Sequence, residues 1–213
     1  MAVQTFHLSH LPPELAVHAA LFCDVKNASF LRGQLLNGNA EFEYAFLDAS
    51  VILSTTHILA AAFRAINDYL NNRLKTRNVH SETVFSLSPN NNIAESFRRF
   101  GISDASKDIV VIKIATDPSF TPEFVQSHLS GAVQGTPAIL SDETLKGIAD
   151  IGRLTKIYKL GSPLPKNSTK KVRLADSLTQ PMINDTKDLR IIRDERKEME
   201  IAILGMMALK GSS

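Results

Sequence analysis

Apolar positions along the chain fall into short runs divided by turn clusters, and the spacing inside each run predicts its form. Residues 4–9 read as a short strand, stopped by Leu11-Pro12-Pro13. Residues 16–25, AVHAALFCDV, are apolar almost throughout, as in a strand buried on both faces. From Asn27 a helical stretch carries Phe30, Leu31, Leu35 and Leu36 and ends at Asn37-Gly38-Asn39, residues that tolerate the left-handed turn closing a helix. A further short strand is predicted over 44–48. Ser54 or Thr55 can cap the next helix, in which Leu59, Phe63, Ile66 and Leu70 step by four, three and four along one face. Its alanines at 60, 61, 62 and 65 favour the helix and permit close packing, and Asn71-Asn72-Arg73 ends it.

The second half begins with Thr83-Val84-Phe85-Ser86-Leu87, whose alternation predicts a strand. Ser88-Pro89-Asn90-Asn91-Asn92 is a turn cluster, and Asn92 with Glu95 has the spacing of a capping box for a helix carrying Ile93, Phe97 and Phe100. Residues 109–114 are β-branched except Lys113 and give the clearest strand signal. Thr121-Pro122-Glu123 opens a helix with proline at its tolerated first position. Short helices are predicted from Ser141 and over 151–160. Residues 161–185 turn polar and carry prolines at 163, 165 and 181, which predicts a long linker. A C-terminal helix follows from Asp185, charged in its first half and apolar over 201–209.

Composition narrows the class. With 213 residues, 44% hydrophobic and 22% charged, the chain can bury one core without staples and is not disordered throughout. Lys+Arg 24 against Asp+Glu 22 gives +2, so any nucleic-acid affinity must come from a local patch. Cys23 is the only cysteine, which excludes an intrachain disulfide and a multi-cysteine zinc site and fits a reducing compartment. No apolar run approaches the roughly 20 residues of a membrane span, and the N-terminus lacks a signal-peptide pattern, so a soluble protein of cytosol or nucleus is expected. The histidines are scattered without a helical ligand pair, and phosphate-loop, dinucleotide and nucleophile-elbow motifs are absent. No catalytic residue, cofactor or metal is expected.

Three features remain, each with two readings. The asparagines at 90–92 before a capped helix either close a turn or offer helix-start amides to an anion. Arg73, Lys75 and Arg77, with Arg64 on the preceding helix, form either a solvated charged turn or a phosphate-contacting patch. Ile203, Met206 and Met207 form either a core face or an adaptable docking face.

Several segments together resemble a known family. They are Asp24-Val25-Lys26-Asn27-Ala28, Lys75-Thr76-Arg77-Asn78, Ser81-Glu82, Leu87-Ser88-Pro89-Asn90-Asn91-Asn92-Ile93, Phe100-Gly101-Ile102 and Lys156-Ile157-Tyr158-Lys159-Leu160. In this order and spacing they resemble the kinase-binding subunit of the KEOPS (EKC) complex, over about residues 6–160 and again near the C-terminus. The resemblance implies an α+β domain over 1–160, with a central, mainly antiparallel sheet surrounded by helices. After the linker at 161–185 comes a helix over 186–213 that packs on the domain or on a partner. The linker looks longer than the family's, and the charged start of the helix has no clear match. The family is not known as an enzyme; the alternatives are a protein adaptor without an RNA role and a small nucleotide or RNA hydrolase. The family binds a small atypical kinase/ATPase, through it reaches the catalytic transferase, and holds tRNA, including the 3′ end, for threonylcarbamoylation of the adenosine beside the anticodon. Fungal complexes are also linked to telomeres and transcription. On this resemblance Asn91, Asn92, Ile93, Phe97, Ile203, Met206 and Met207 are expected at the kinase, and Arg64, Arg73, Lys75 and Arg77 at tRNA.

Overall fold

The computed structural model describes residues 3–161 and 185–210, with side chains in the second stretch from residue 195 onward. It is an α+β domain built on one antiparallel sheet. The strands are β1 (Gln4–Phe6), β2 (Val17–Cys23), β3 (Ala45–Asp48), β4 (Ile109–Ile114) and β5 (Thr136–Ala138). They lie in the order β1-β2-β4-β3, and β5 also pairs with β2. All pairs are antiparallel, with Ala19 opposite Ile112 and Ala45 also opposite Ile112. β4 therefore sits centrally, which is why it carries β-branched residues on both faces.

Alternation along β2 and β4 divides the core in two. Val17, Ala19, Leu21, Val110, Ile112 and Ile114 face the larger core, formed with α2 (Thr55–Leu70), α3 (Val79–Leu87), α6 (Asp142–Ile148), α7 (Ile151–Ile157) and α8 (Asp185–Leu209). Ala20, Phe22, Ile109 and Val111 face the smaller core under α1 (Ala28–Leu36) and α5 (Pro122–Ala132). The remaining helix, α4 (Ile93–Phe100), packs on α3 and closes the edge beside β3, where Ile102 N–H donates to Phe46 O at 2.9 Å. Short 3₁₀ turns at Ala40–Phe42 and Ala49–Val51 flank β3. Predicted caps are in place: Ser54, Thr121 and Ser141 each accept from the backbone three residues on.

The strand expected at 83–87 is a helix. Asn78 caps it by accepting from Ser81 N at 2.8 Å, and Thr83 Oγ1 donates to Val79 O. Every side chain of α3 but one is buried, Glu82, Thr83 and Ser86 included, so it lacks the polar face that makes a helix visible as a 3.6 period. On α2 the buried stripe is Ile58, Ala61, Ala62, Ala65 and Ile66, whereas Phe63 and Leu70 are exposed. The alanines let α2 approach its neighbours closely, so the core follows the small residues rather than the large ones. β5 has no counterpart among the predicted strands. Residues 162–184 of the expected linker lie outside the described residues.

Candidate functional site

The Asn90–Asn92 turn organises the start of α4 with its own groups. Asn92 Oδ1 accepts from Glu95 N at 2.9 Å, as a cap should. The return half of the expected capping box is redirected: Asn92 N donates to Asn90 Oδ1 at 3.1 Å, and Glu95 accepts from Asn90 Nδ2 at 2.8 Å. Asn91, Asn92, Ile93 and Ala94 are exposed at the helix start, Ile93 by 40%, and Phe97 is half-buried. Two arginines lock the helix in place. Arg99 binds Glu95 and reaches Ile157 O at 3.4 Å. Arg153 of α7 joins Asp48 Oδ2 at 3.1 Å, Ser50 Oγ at 2.9 Å and Arg99 O at 3.5 Å.

On α8 the apolar stripe belongs to the chain itself. Met199, Ile203 and Met207, four residues apart, are buried against the larger core, and Met206 packs partly on it. Among its described side chains, Ile201 (63%) and Leu209 (69%) are the large apolar residues that α8 exposes. The helix is tied down at both ends of its described side chains. Arg196 donates to Leu53 O, and Ser54 Oγ donates to Glu200. At the other end Arg64 of α2 donates to Met207 O at 2.5 Å and Lys210 O at 2.6 Å, adding a charged donor at the helix C-terminus, where Met207 O also accepts from Lys210 N at 3.3 Å. Lys210 Nζ is buried against the Phe85 ring, 3.1 Å from its centroid, and donates to Phe85 O; burial holds this amine down at about 7.

Of the four predicted basic residues, Arg64, Arg73 and Lys75 border one cleft, and Arg77 borders another. Arg64 is committed to α8. Arg73, Lys75 and Arg77 are exposed on the turn between α2 and α3. Arg73 pairs with Asp68 at 3.2 Å. The turn is braced from below by the buried Glu82 carboxylate, which accepts from Lys75 N, Thr76 N and Thr76 Oγ1 at 3.0, 2.8 and 2.7 Å. Lys75 faces a cleft of about 720 Å³ between α2 and the end of α8. Arg77 instead faces a second cavity of about 640 Å³ between α1, β3, α3 and α4. Its wall includes Leu35, Phe46, Val84 and Phe97, and Arg32 and Arg98 also border it. Gly38, in the left-handed region at φ +68°, makes room there: a Cβ would lie 2.9 Å from the Arg77 guanidinium.

Other titratable groups are structural. His57 accepts from Leu53 N at 3.2 Å and meets Tyr158 Oη at 2.8 Å, and burial pushes it down to about 3. Lys113 Nζ donates to Glu43 O at 2.8 Å beneath the Tyr44 and Phe120 rings, and burial lowers it to about 8. The half-buried Cys23 thiol is pushed up by burial and by the Asp108 carboxylate. Among the described residues no group of three or more potential metal ligands converges, and no helix is long and apolar enough to cross a membrane.

A family model described as "Kinase binding protein CGI-121" matches residues 22–211. The chain belongs to the CGI-121 family. It is 52% identical over 211 residues to the EKC/KEOPS complex subunit cgi121 of Aspergillus terreus, covering 99% of this chain and 98% of that protein. The protein of the same name from Coccidioides immitis is 46% identical, covering 99% of each chain. That of Neurospora crassa is 40% identical over 99% of this chain and 100% of its own.

In this CGI-121 member the predicted kinase-side residues divide between two settings. Asn91, Asn92, Ile93 and Phe97 lie together on and before α4, whereas Ile203 and Met207 face inward. The predicted helix phase on α8 is right, because a four-residue repeat marks one face, but the repeat cannot say whether that face meets the chain's own core or another protein. Ile201 and Arg98 were not singled out. Ile201 lies off the repeat, and Arg98 borders the Arg77 cavity only through the packing of α4 on α3.

Proposed function

We propose that this chain is a non-catalytic subunit of an EKC/KEOPS complex. It binds the complex's small atypical kinase/ATPase, which joins it to the catalytic transferase. It helps hold tRNA, including the 3′ end, for threonylcarbamoyl-adenosine formation beside the anticodon. On this reading it works in nucleus and cytoplasm and takes part in the telomere functions linked to fungal complexes. The observation that carries the reading is the match along the whole chain to proteins named as EKC/KEOPS subunits, within a kinase-binding family.

Two surfaces support it. The α4 start presents exposed Ile93 beside a turn whose Asn90 and Asn92 side chains are already hydrogen-bonded, so docking there buries apolar area and can leave those bonds in place. The 73–77 turn presents three cations between two concavities. The cavity beside Arg77 suits an unstacked nucleotide, with the base on apolar walls and phosphate on a guanidinium.

The test uses the purified full chain with the kinase subunit and with tRNA. Ile93→Glu combined with Ile201→Glu changes exposed positions only, so the fold should persist while kinase affinity falls by about 100-fold. Lys75→Glu with Arg77→Glu should weaken tRNA binding and lower the slope of log affinity against log salt by roughly two, leaving kinase binding intact. Unaltered kinase affinity excludes the α4 surface. Unaltered tRNA binding across the salt titration makes the chain a protein adaptor without an RNA contact at this turn.

A further inference from the structure

On the sheet face opposite α8, aromatic rings border a notch of about 670 Å³ between α1, the 40–42 turn and the end of α5. Phe30, exposed by 48%, meets Phe42 edge-on at 5.8 Å, and Phe42 meets His128 at 5.0 Å. His128 is stacked on Tyr44, whose Oη shares a hydrogen bond of 2.9 Å with His128 Nδ1. Phe124 continues the row, parallel to His128 at 6.5 Å. The rings are held in place: Asn27 Nδ2 donates to Ala132 O at 2.8 Å and its Oδ1 accepts from Gln134 N at 3.0 Å, tying the start of α1 to the end of α5.

The polar side of the notch has one sign. Glu41 borders it and forms no ion pair with a lysine or arginine among the described residues. None of the bordering residues is basic, in contrast to the cavity beside Arg77. His128 is held below its ordinary value, first by burial, so its ring is neutral at physiological pH and does not repel a cation. Gly131 borders the opening, and a Cβ there would meet nothing within 4 Å, so a larger side chain has room at this edge.

We propose that this notch receives an arginine side chain from a protein partner distinct from whatever binds the α4 face. A planar guanidinium can lie against the exposed Phe30 ring while its N–H groups bind the Glu41 carboxylate, both of which border the notch. Lysine satisfies the charge but not the stacking. A nucleic acid has bases to stack, yet its phosphates would meet Glu41 with no cation to offset them. The inference uses none of the residues placed at the kinase or tRNA contacts, although Phe42 borders both this notch and the cavity beside Arg77.

The test follows aromatic and amide NMR signals of the full chain during titration with a capped glycine peptide carrying one arginine. Saturable shifts centred on Phe30, Phe42 and His128 are expected. Substituting citrulline, which keeps the shape and loses the charge, should weaken binding by about five- to tenfold, as should Glu41→Gln in the protein. Gly131→Leu, which fills the opening from an exposed helix position, should abolish the shifts. Three results overturn the proposal: no saturable shift with the arginine peptide, equal response to citrulline, or stronger shifts at Phe30 and His128, which border the notch alone, with a short oligouridine.

Discussion

At Arg64 the choice between an RNA contact and a structural one turns on what the guanidinium already holds. It donates to the Met207 and Lys210 carbonyls, 143 and 146 residues away in sequence, so only the folded chain reveals its partners. Arg64→Ala leaves those carbonyls without a charged donor and should cost about 1.5–3 kcal/mol in urea unfolding, with tRNA affinity nearly unchanged. The charge on Arg73, Lys75 and Arg77 was legible because those side chains are exposed, where sequence and surface say the same thing. Buried titratable groups set the pH response. His57 and His80 are both held at about 3 by burial, against an ordinary 6.5. Between those values the unfolded chain binds protons that the folded chain refuses, so their contribution is full above about pH 6.5 and is lost as pH falls toward 3. Lys113, lowered to about 8 from 10.5, has the same sign: stability rises with pH across that window. The urea midpoint should therefore climb from acid to mildly alkaline pH, and Lys113→Met should flatten only the alkaline part.

Continuous apolar runs and capped helix starts were the legible signals. β2 and β4 announced themselves as apolar runs, and α4, α5 and α6 by their caps. α3 was misread because burial on all sides erased its period, and β5 because three residues carry no period at all. α8 falls between: its repeat was visible, its destination was not. Two substitutions separate inner and outer sides of that helix. Ile203→Ala should lower stability by about 2–4 kcal/mol, by lost transfer energy plus the cavity left behind. Ile201→Ala, two positions away and exposed, should change the unfolding midpoint little. At the start of α4, Asn92→Ala should cost about 0.5–2 kcal/mol through the lost bond to Glu95 N, read by the same unfolding assay.

For the whole molecule, the sheet separates two working sides. The α4 helix packs with the larger core and the aromatic notch lies over the smaller, while the cavity beside Arg77 is walled by residues of both. The fold class followed from the family resemblance rather than from periodicity, since local patterns do not say which strands pair. What no local pattern could supply is the Arg153 junction, where one guanidinium gathers β3, the turn after it and α4. Arg153→Met should reduce kinase affinity along with stability, because α4 loses an anchor; unchanged affinity beside lowered stability would confine the junction to folding. Cys23 carries a practical consequence. Its thiol is half-buried and raised by burial and by Asp108, so at neutral pH it holds little of the reactive thiolate. As the sole cysteine it is expected to react slowly with maleimides. A reporter thiol at Thr56 on one side of the sheet or at Gln126 on the other, both exposed, should take up a fluorophore well before Cys23 does. Mass spectrometry of briefly labelled Thr56→Cys and Gln126→Cys should find a single adduct at the new residue, so each side can be watched separately without first removing the native cysteine.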